Sequence, residues 1–189
     1  ELSPRVRFQH ALTLGEVRNP ARPRALADLI RYDADSPLMR AAVLNSLTDG
    51  AGEVFASLVR DVRFRVQPGS EEFLRRLAEL IGARNLYPEV RAVLEFAAKP
   101  DPAAPVATWV RALGEGAARA GTTLAAVDKL GHLKGVFASA TQTVGNEKSA
   151  EAARVQAAQL LALTSFAESG AKLVPLLDAP QEPLRLAAI

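Results

Sequence analysis

Cysteine is absent from the 189-residue sequence, and there are only two histidines, His10 and His132. No disulfide, thiolate metal site or cysteine nucleophile can be built from such a chain. The two imidazoles have no His, Asp or Glu at metal-ligand spacing and no HExxH motif, so both read as structural or surface residues. Aromatic residues are scarce at 5%, with one tryptophan, Trp109. No apolar run approaches the roughly 18 residues of a membrane helix. Arg5, Arg7, Glu16, Arg18, Arg22, Arg24 and Asp28 are scattered through the N-terminal stretch, which excludes a signal peptide there and leaves direct membrane insertion without a segment to perform it. Charge of one sign is lacking too: 23 Lys+Arg against 21 Asp+Glu leave a net +2, with no block of like charges. There is no basic arm for nucleic acid and no acidic tail, and no nucleic-acid partner is expected.

What is abundant is helix-forming. Alanine occurs 36 times and leucine 26 times, in a chain that is 49% hydrophobic and 23% charged. These are proportions of a folded, all-α protein. Ser3-Pro4 with Arg7, and Ser36-Pro37 with Arg40, begin two similar apolar stretches at an offset of 33 residues (36 minus 3). Serine at such a start caps a helix, and proline fits the first turn, where its missing N–H costs nothing. Related starts follow at Ser70-Glu71-Glu72-Phe73, Asp101-Pro102, Ser149 with Arg154, and Ala179-Pro180 with Arg185. Helices are expected to run from the third through Gly82 and from the fourth through Gly114.

A second amphipathic segment lies between successive starts. Leu26, Leu29 and Ile30 mark the first, Val54 to Val62 the second, and Val90, Val93, Leu94 and Ala97 the third. Leu124, Val127, Leu130, Leu133, Val136, Phe137 and Ala140 read as one long fourth helix, and Leu173, Val174, Leu176 and Leu177 as the fifth. Offsets of three and four place each set on one helix face. The predicted units cover residues 3–35, 36–69, 70–100, 101–148 and 149–178, with a partial sixth at 179–189. That last unit reads as the first helix of a pair, cut within Leu184 to Ile189, so the chain reads as part of something longer. Repeated helical pairs of this length are the pattern of HEAT-type repeats, which stack into a right-handed α-α superhelix of HEAT-like or ARM type. The expectation is about five pairs and a truncated sixth in one domain.

No catalytic, cofactor-binding or metal-binding residue is identified. A GxSxG elbow is missing, and the repeated serines are explained by capping. Glu71 and Glu72 fall in a first turn, where negative charge favours the helix dipole. Gly114-Glu115-Gly116 and Gly131 to Gly135 lack the spacing of phosphate loops, and helix ends account for them instead. Arg7, Arg40, Arg154 and Arg185 form a ladder over successive first helices. They face either a ligand or, as preferred here, turn residues such as Asp33, Asp35, Asp101 and Asp178. Trp109 reads as core or groove-edge packing.

Val6-Arg7-Phe8-Gln9, Leu14-Gly15, Asp33-Ala34-Asp35-Ser36-Pro37, Arg40-Ala41-Ala42-Val43-Leu44, Phe73-Leu74-Arg75 and Leu176-Leu177-Asp178 resemble, in that order, the HEAT region of PVC-type haem-binding putative membrane-bound dehydrogenases. The resemblance implies a module between a β-propeller and a cytochrome c domain in an exported protein. Its partners would be the other domains of the same polypeptide or another protein. With no cysteine there is no CxxCH site, so the module itself would be a non-catalytic scaffold or spacer. A free-standing protein-binding HEAT scaffold and a HEAT-like DNA glycosylase are the alternatives.

Overall fold

The structure, a computed structural model, describes residues 3–99 and 104–189. The expected fourth start at Asp101-Pro102 lies outside the described residues. Among those described there are helices and turns and no strand. In chain order the helices are α1 (Pro4–Glu16), α2 (Arg22–Asp33), α3 (Pro37–Ser46), α4 (Ala51–Val59), α5 (Val62–Arg65), α6 (Ser70–Arg84), α7 (Tyr87–Ala97), α8 (Val106–Arg119), α9 (Leu124–Val127), α10 (Lys134–Gly145), α11 (Glu151–Leu161), α12 (Phe166–Leu173) and α13 (Glu182–Ala187), with a 3₁₀ turn at Val174–Asp178.

The helices pack in two series. α1 lies against α3, α3 touches α6, α6 lies along α8, and α8, α11 and α13 follow in order. In the second series α2 packs on α4 and α4 on α7, and further along α10 touches α12. One apolar core runs between the series. Leu26, Ile30, Val43, Leu47, Phe55 and Leu58 belong to it at one end, Leu77, Ile81, Val93, Leu94 and Leu113 in the middle, and Ala158, Leu161 and Leu173 at the other end.

Local chemistry starts several helices as expected. Ser3 and Ser36 accept from the backbone N–H groups of Val6 (3.4 Å) and Met39 (3.3 Å). A cap not expected from the sequence is added by Ser165 and Glu168, which close a capping box at the start of α12. Two expected serine caps are corrected. Gly69, not Ser70, precedes α6, and the Ser70 hydroxyl donates backwards to the carbonyls of Arg65 (3.0 Å) and Gln67 (2.7 Å). α11 likewise starts after Ala150 rather than after Ser149.

The single long helix expected from Leu124 to Ala140 is two helices. Asp128 interrupts it: its carboxylate accepts from the backbone N–H groups of His132 and Leu133, both at 2.8 Å, and that local alternative restarts the chain as α10. Asp61 similarly divides Val54 to Val62, accepting from Arg63 (3.1 Å) and Phe64 (3.2 Å) at the start of α5. The fifth segment tightens into the 3₁₀ turn after Leu173. α6 and α8 both outrun their expected ends, to Arg84 and Arg119. Gly114 and Gly116 therefore sit inside α8 and terminate nothing. A methyl group built at Gly116 would strike the Glu79 carbonyl of α6, and one at Gly82 would strike the Leu113 carbonyl of α8. The two glycines let the helix backbones touch.

Candidate functional site

The arginine ladder faces the turns between helices. Arg7 of α1 grips Asp33, the last residue of α2, through Nε to Oδ2 at 2.6 Å and Nη2 to Oδ1 at 2.7 Å, and its guanidinium lies 5.9 Å from the Tyr32 ring centre. Arg40 donates through Nη1 to the backbone carbonyls of Ala34 (2.7 Å) and Asp35 (3.1 Å). Arg185 makes the corresponding pair of bonds to Ala179 (2.8 Å) and Pro180 (2.9 Å). Both thus bind the carbonyls six and five residues before themselves, tying the start of a helix to the turn that leads into it. Arg154 departs from this pattern, with Nε reaching the Val144 carbonyl at 3.3 Å. The carboxylate partner expected for the ladder is found at Asp33. At Asp35 the backbone carbonyl is used, Asp178 has no ion pair to a described residue, and Asp101 lies outside the described residues.

The Arg7–Asp33 side chains are only 16% and 13% exposed, so water screens this bidentate pair less than an ordinary surface pair. A double-mutant cycle of Arg7→Ala and Asp33→Ala is expected to give a coupling of about 1–2 kcal/mol in denaturant unfolding. Simple additivity would place the pair among the energetically silent ones.

Sequence reasoning missed a second set of long-range ties, all on the turn that joins α3 to α4. Arg22, buried at the start of α2, pairs with Asp49 and also donates to the Val17 carbonyl at 3.2 Å. Arg84, at the end of α6, donates to the carbonyl of Leu47, the residue that caps the C-terminal end of α3. Glu89, buried in the first turn of α7, accepts from the Ala51 N–H at 3.0 Å. α4 has no cap of its own, because Gly50 precedes it with φ at 72°. The Glu89 carboxylate supplies the missing acceptor and stands near two positive helix ends at once. Partners 27 to 38 residues away leave no local signal in the sequence.

Trp109 is 1% exposed and sits between Phe55, edge-on at 5.7 Å, and Phe96, tilted at 58° and also 5.7 Å away. Its indole N–H has no hydrogen-bond partner among the described residues. It is a core residue. His10 lies exposed on α1, and His132 lies half-buried in the turn before α10. Among the described residues there is no cluster of three or more His, Asp or Glu able to hold a metal ion, and no helix is long and apolar enough to cross a membrane.

Glu71 and Glu72 do lie in the first turn of α6. The hydrogen bond from Arg75 holds the Glu72 carboxyl at about 2 instead of the ordinary 4.5; partial burial opposes this and Arg76 reinforces it. Folding therefore favours the ionised form. The resulting stability is complete above about pH 4.5 and is lost as the pH falls toward 2. Glu72→Gln is expected to flatten the fall in thermal stability between those pH values. An unchanged acid limb would mean that the cluster contributes nothing there.

Among several surface cavities is a groove between the α7–α8 corner and the α10–α11 pair, with a volume of about 480 Å³. It lies where the second helix series is interrupted: α4 packs on α7, whereas α10 packs on α11 and α12. The walls are mostly small and apolar, formed by Ala97, Val106, Val136, Ala140, Ala157 and Leu160. No period in the sequence announces it, since it arises from the broken fourth segment.

Comparisons of the chain with protein-family models, with curated proteins and with solved structures found no match.

Proposed function

We propose that the chain is a non-catalytic scaffold of stacked helical pairs, a HEAT-type α-solenoid, that joins domains or proteins, and that it does so within a larger exported dehydrogenase of the PVC-type haem-binding kind. The observation that carries the repeat reading is the shared geometry of Arg40 and Arg185. Residues in the second and sixth units, 145 positions apart (185 minus 40), make the same two bonds to the same relative carbonyls. The packing order in two series supports it as well. A helical pair cannot bury its apolar faces alone, so stacking on neighbours is what makes such a unit stable, and the outer faces are then free for partners. The dehydrogenase part rests on the sequence resemblance.

The test is the complete reading frame, followed by lysine cross-linking of the full-length protein. A β-propeller encoded before this chain, a CxxCH segment after it, and cross-links from Lys129, Lys134 or Lys172 into either would support the reading. A frame lacking both domains would sink the dehydrogenase assignment and leave a free-standing scaffold. Catalytic turnover by this chain in isolation would overturn the scaffold itself.

A further inference from the structure

Ties between helices far apart in sequence are unevenly distributed along the chain. Up to α8 they are polar: Arg22 to Asp49, Arg31 of α2 to Asp61 (3.1 Å) and Ser57 (2.8 Å), Glu89 to Ala51, and Arg119 of α8 to Glu79 of α6. Beyond α8 this stops. Among the described residues there, no ion pair is formed, and the longest-reaching side-chain hydrogen bond joins Arg154 to Val144, only 10 positions away. A charge attraction links His132 to Glu95 of α7, but that carboxylate is hydrogen-bonded to Arg91 (2.6 Å). Apolar burial thins as well. α6 buries Phe73, Leu74, Leu77, Ala78 and Ile81, whereas the 12 residues of α10 bury Ala140 and Val144, and α12 buries a single large apolar side chain, Leu173.

The seam between the two parts is apolar. Leu163, just past α11, rests on α8 at Gly114, where a built Cβ would meet its side chain at 3.3 Å. Along the chain, Gly131, with φ at 69°, separates α9, which packs on α8, from α10. A glycine in the left-handed region gives the backbone a place to pivot. A segment with few buried apolar contacts and no polar tie opens at a lower free energy than the whole molecule. We propose that α10, α11, α12 and α13 come away from α8 as one cooperative unit while α1 to α8 stay folded. The four move together because α10 lies along α11, α12 touches both, and α13 packs on α11. Their opening uncovers the face of α8 at Gly114. This goes beyond the scaffold reading and does not depend on it, since it needs only the uneven distribution of ties.

Native-state hydrogen exchange of the full chain, read by mass spectrometry across sub-denaturing urea concentrations, tests this. Peptides from α10, α11, α12 and α13 are expected to share one denaturant dependence and to exchange roughly tenfold or more faster than peptides from α4, α6 and α7. Leu163→Ala, which weakens the seam, should speed the first group further and leave α4 and α6 unchanged. Glu89→Ala, which removes the acceptor of the Ala51 N–H, should do the reverse. Equal protection of the two groups in the wild-type chain would overturn the proposal. So would four unlinked openings in the C-terminal helices, or equal acceleration of both groups by either folded variant. Any of these outcomes leaves the scaffold reading where its own cross-linking test puts it.

Discussion

Trp109→Ala is expected to destabilise the chain by about 3–5 kcal/mol. The indole is nearly fully buried and contacts the rings of Phe55 in α4 and Phe96 in α7 from its place in α8. Truncation would therefore empty a space bounded by three helices, and none of them can collapse into it without breaking its other contacts. For a chain of this size the loss corresponds to roughly 10 °C or more in melting temperature. Trp109→Phe is the informative companion. It also leaves a void, but it removes an N–H that has no partner among the described residues, and burying such a donor unpaired itself costs about 1–3 kcal/mol. The phenylalanine variant is thus expected to lose only about 1–2 kcal/mol. A loss equal to that of alanine would show that the indole N–H is satisfied in solution.

The second large effect is expected at the crossing of α6 and α8, where helix propensity and packing oppose each other. In a helix interior, alanine is favoured over glycine by about 1 kcal/mol. At Gly82 and Gly116 the added methyl would meet the backbone of the facing helix, which cannot swing aside as a flexible side chain does. Packing should win. Gly82→Ala and Gly116→Ala are each expected to cost about 2–3 kcal/mol, with the double variant well short of the sum, because the first substitution already separates the helices. Gly145→Ala, at the end of α10 with open space around it, serves as the control and should be neutral or slightly stabilising. Stabilisation at Gly116 equal to that at Gly145 would contradict the close approach.

These residues also mark what could be read from the sequence. Ser3 and Ser36 act on N–H groups three positions ahead, and the Ser-Pro start with its apolar stripe announces them. Arg7 and Asp33 were legible because Arg7 follows a Ser-Pro helix start and Asp33 stands in the acidic stretch just before the next one, at Ser36-Pro37. Gly82 and Gly116 were not, because a glycine required by a partner helix looks the same in sequence as a helix terminator. The division of Leu124 to Ala140 follows from a different cause. Its apolar residues keep helical spacing straight through the break, while the Asp128 carboxylate, bonded forward to His132 and Leu133, and Gly131, with φ at 69°, make the interruption. The groove follows from that break, so it was out of reach for the same cause.

The central claim is that each helical pair depends on its neighbours alone, and the sharpest measurement is equilibrium unfolding of a chain ended in the turn at Gly121, keeping residues 1–121 of the full sequence. α8 would keep its contacts with α6 and α7 and lose those with α9 and α11. Stability in a linear stack is a sum of unit and nearest-neighbour terms. The shortened chain is therefore expected to retain the helical circular dichroism of α1 to α8 and to unfold cooperatively at a somewhat lower temperature. A chain that is unfolded at the same length would show that its core depends on distant helices, and the account of stacked pairs would be wrong.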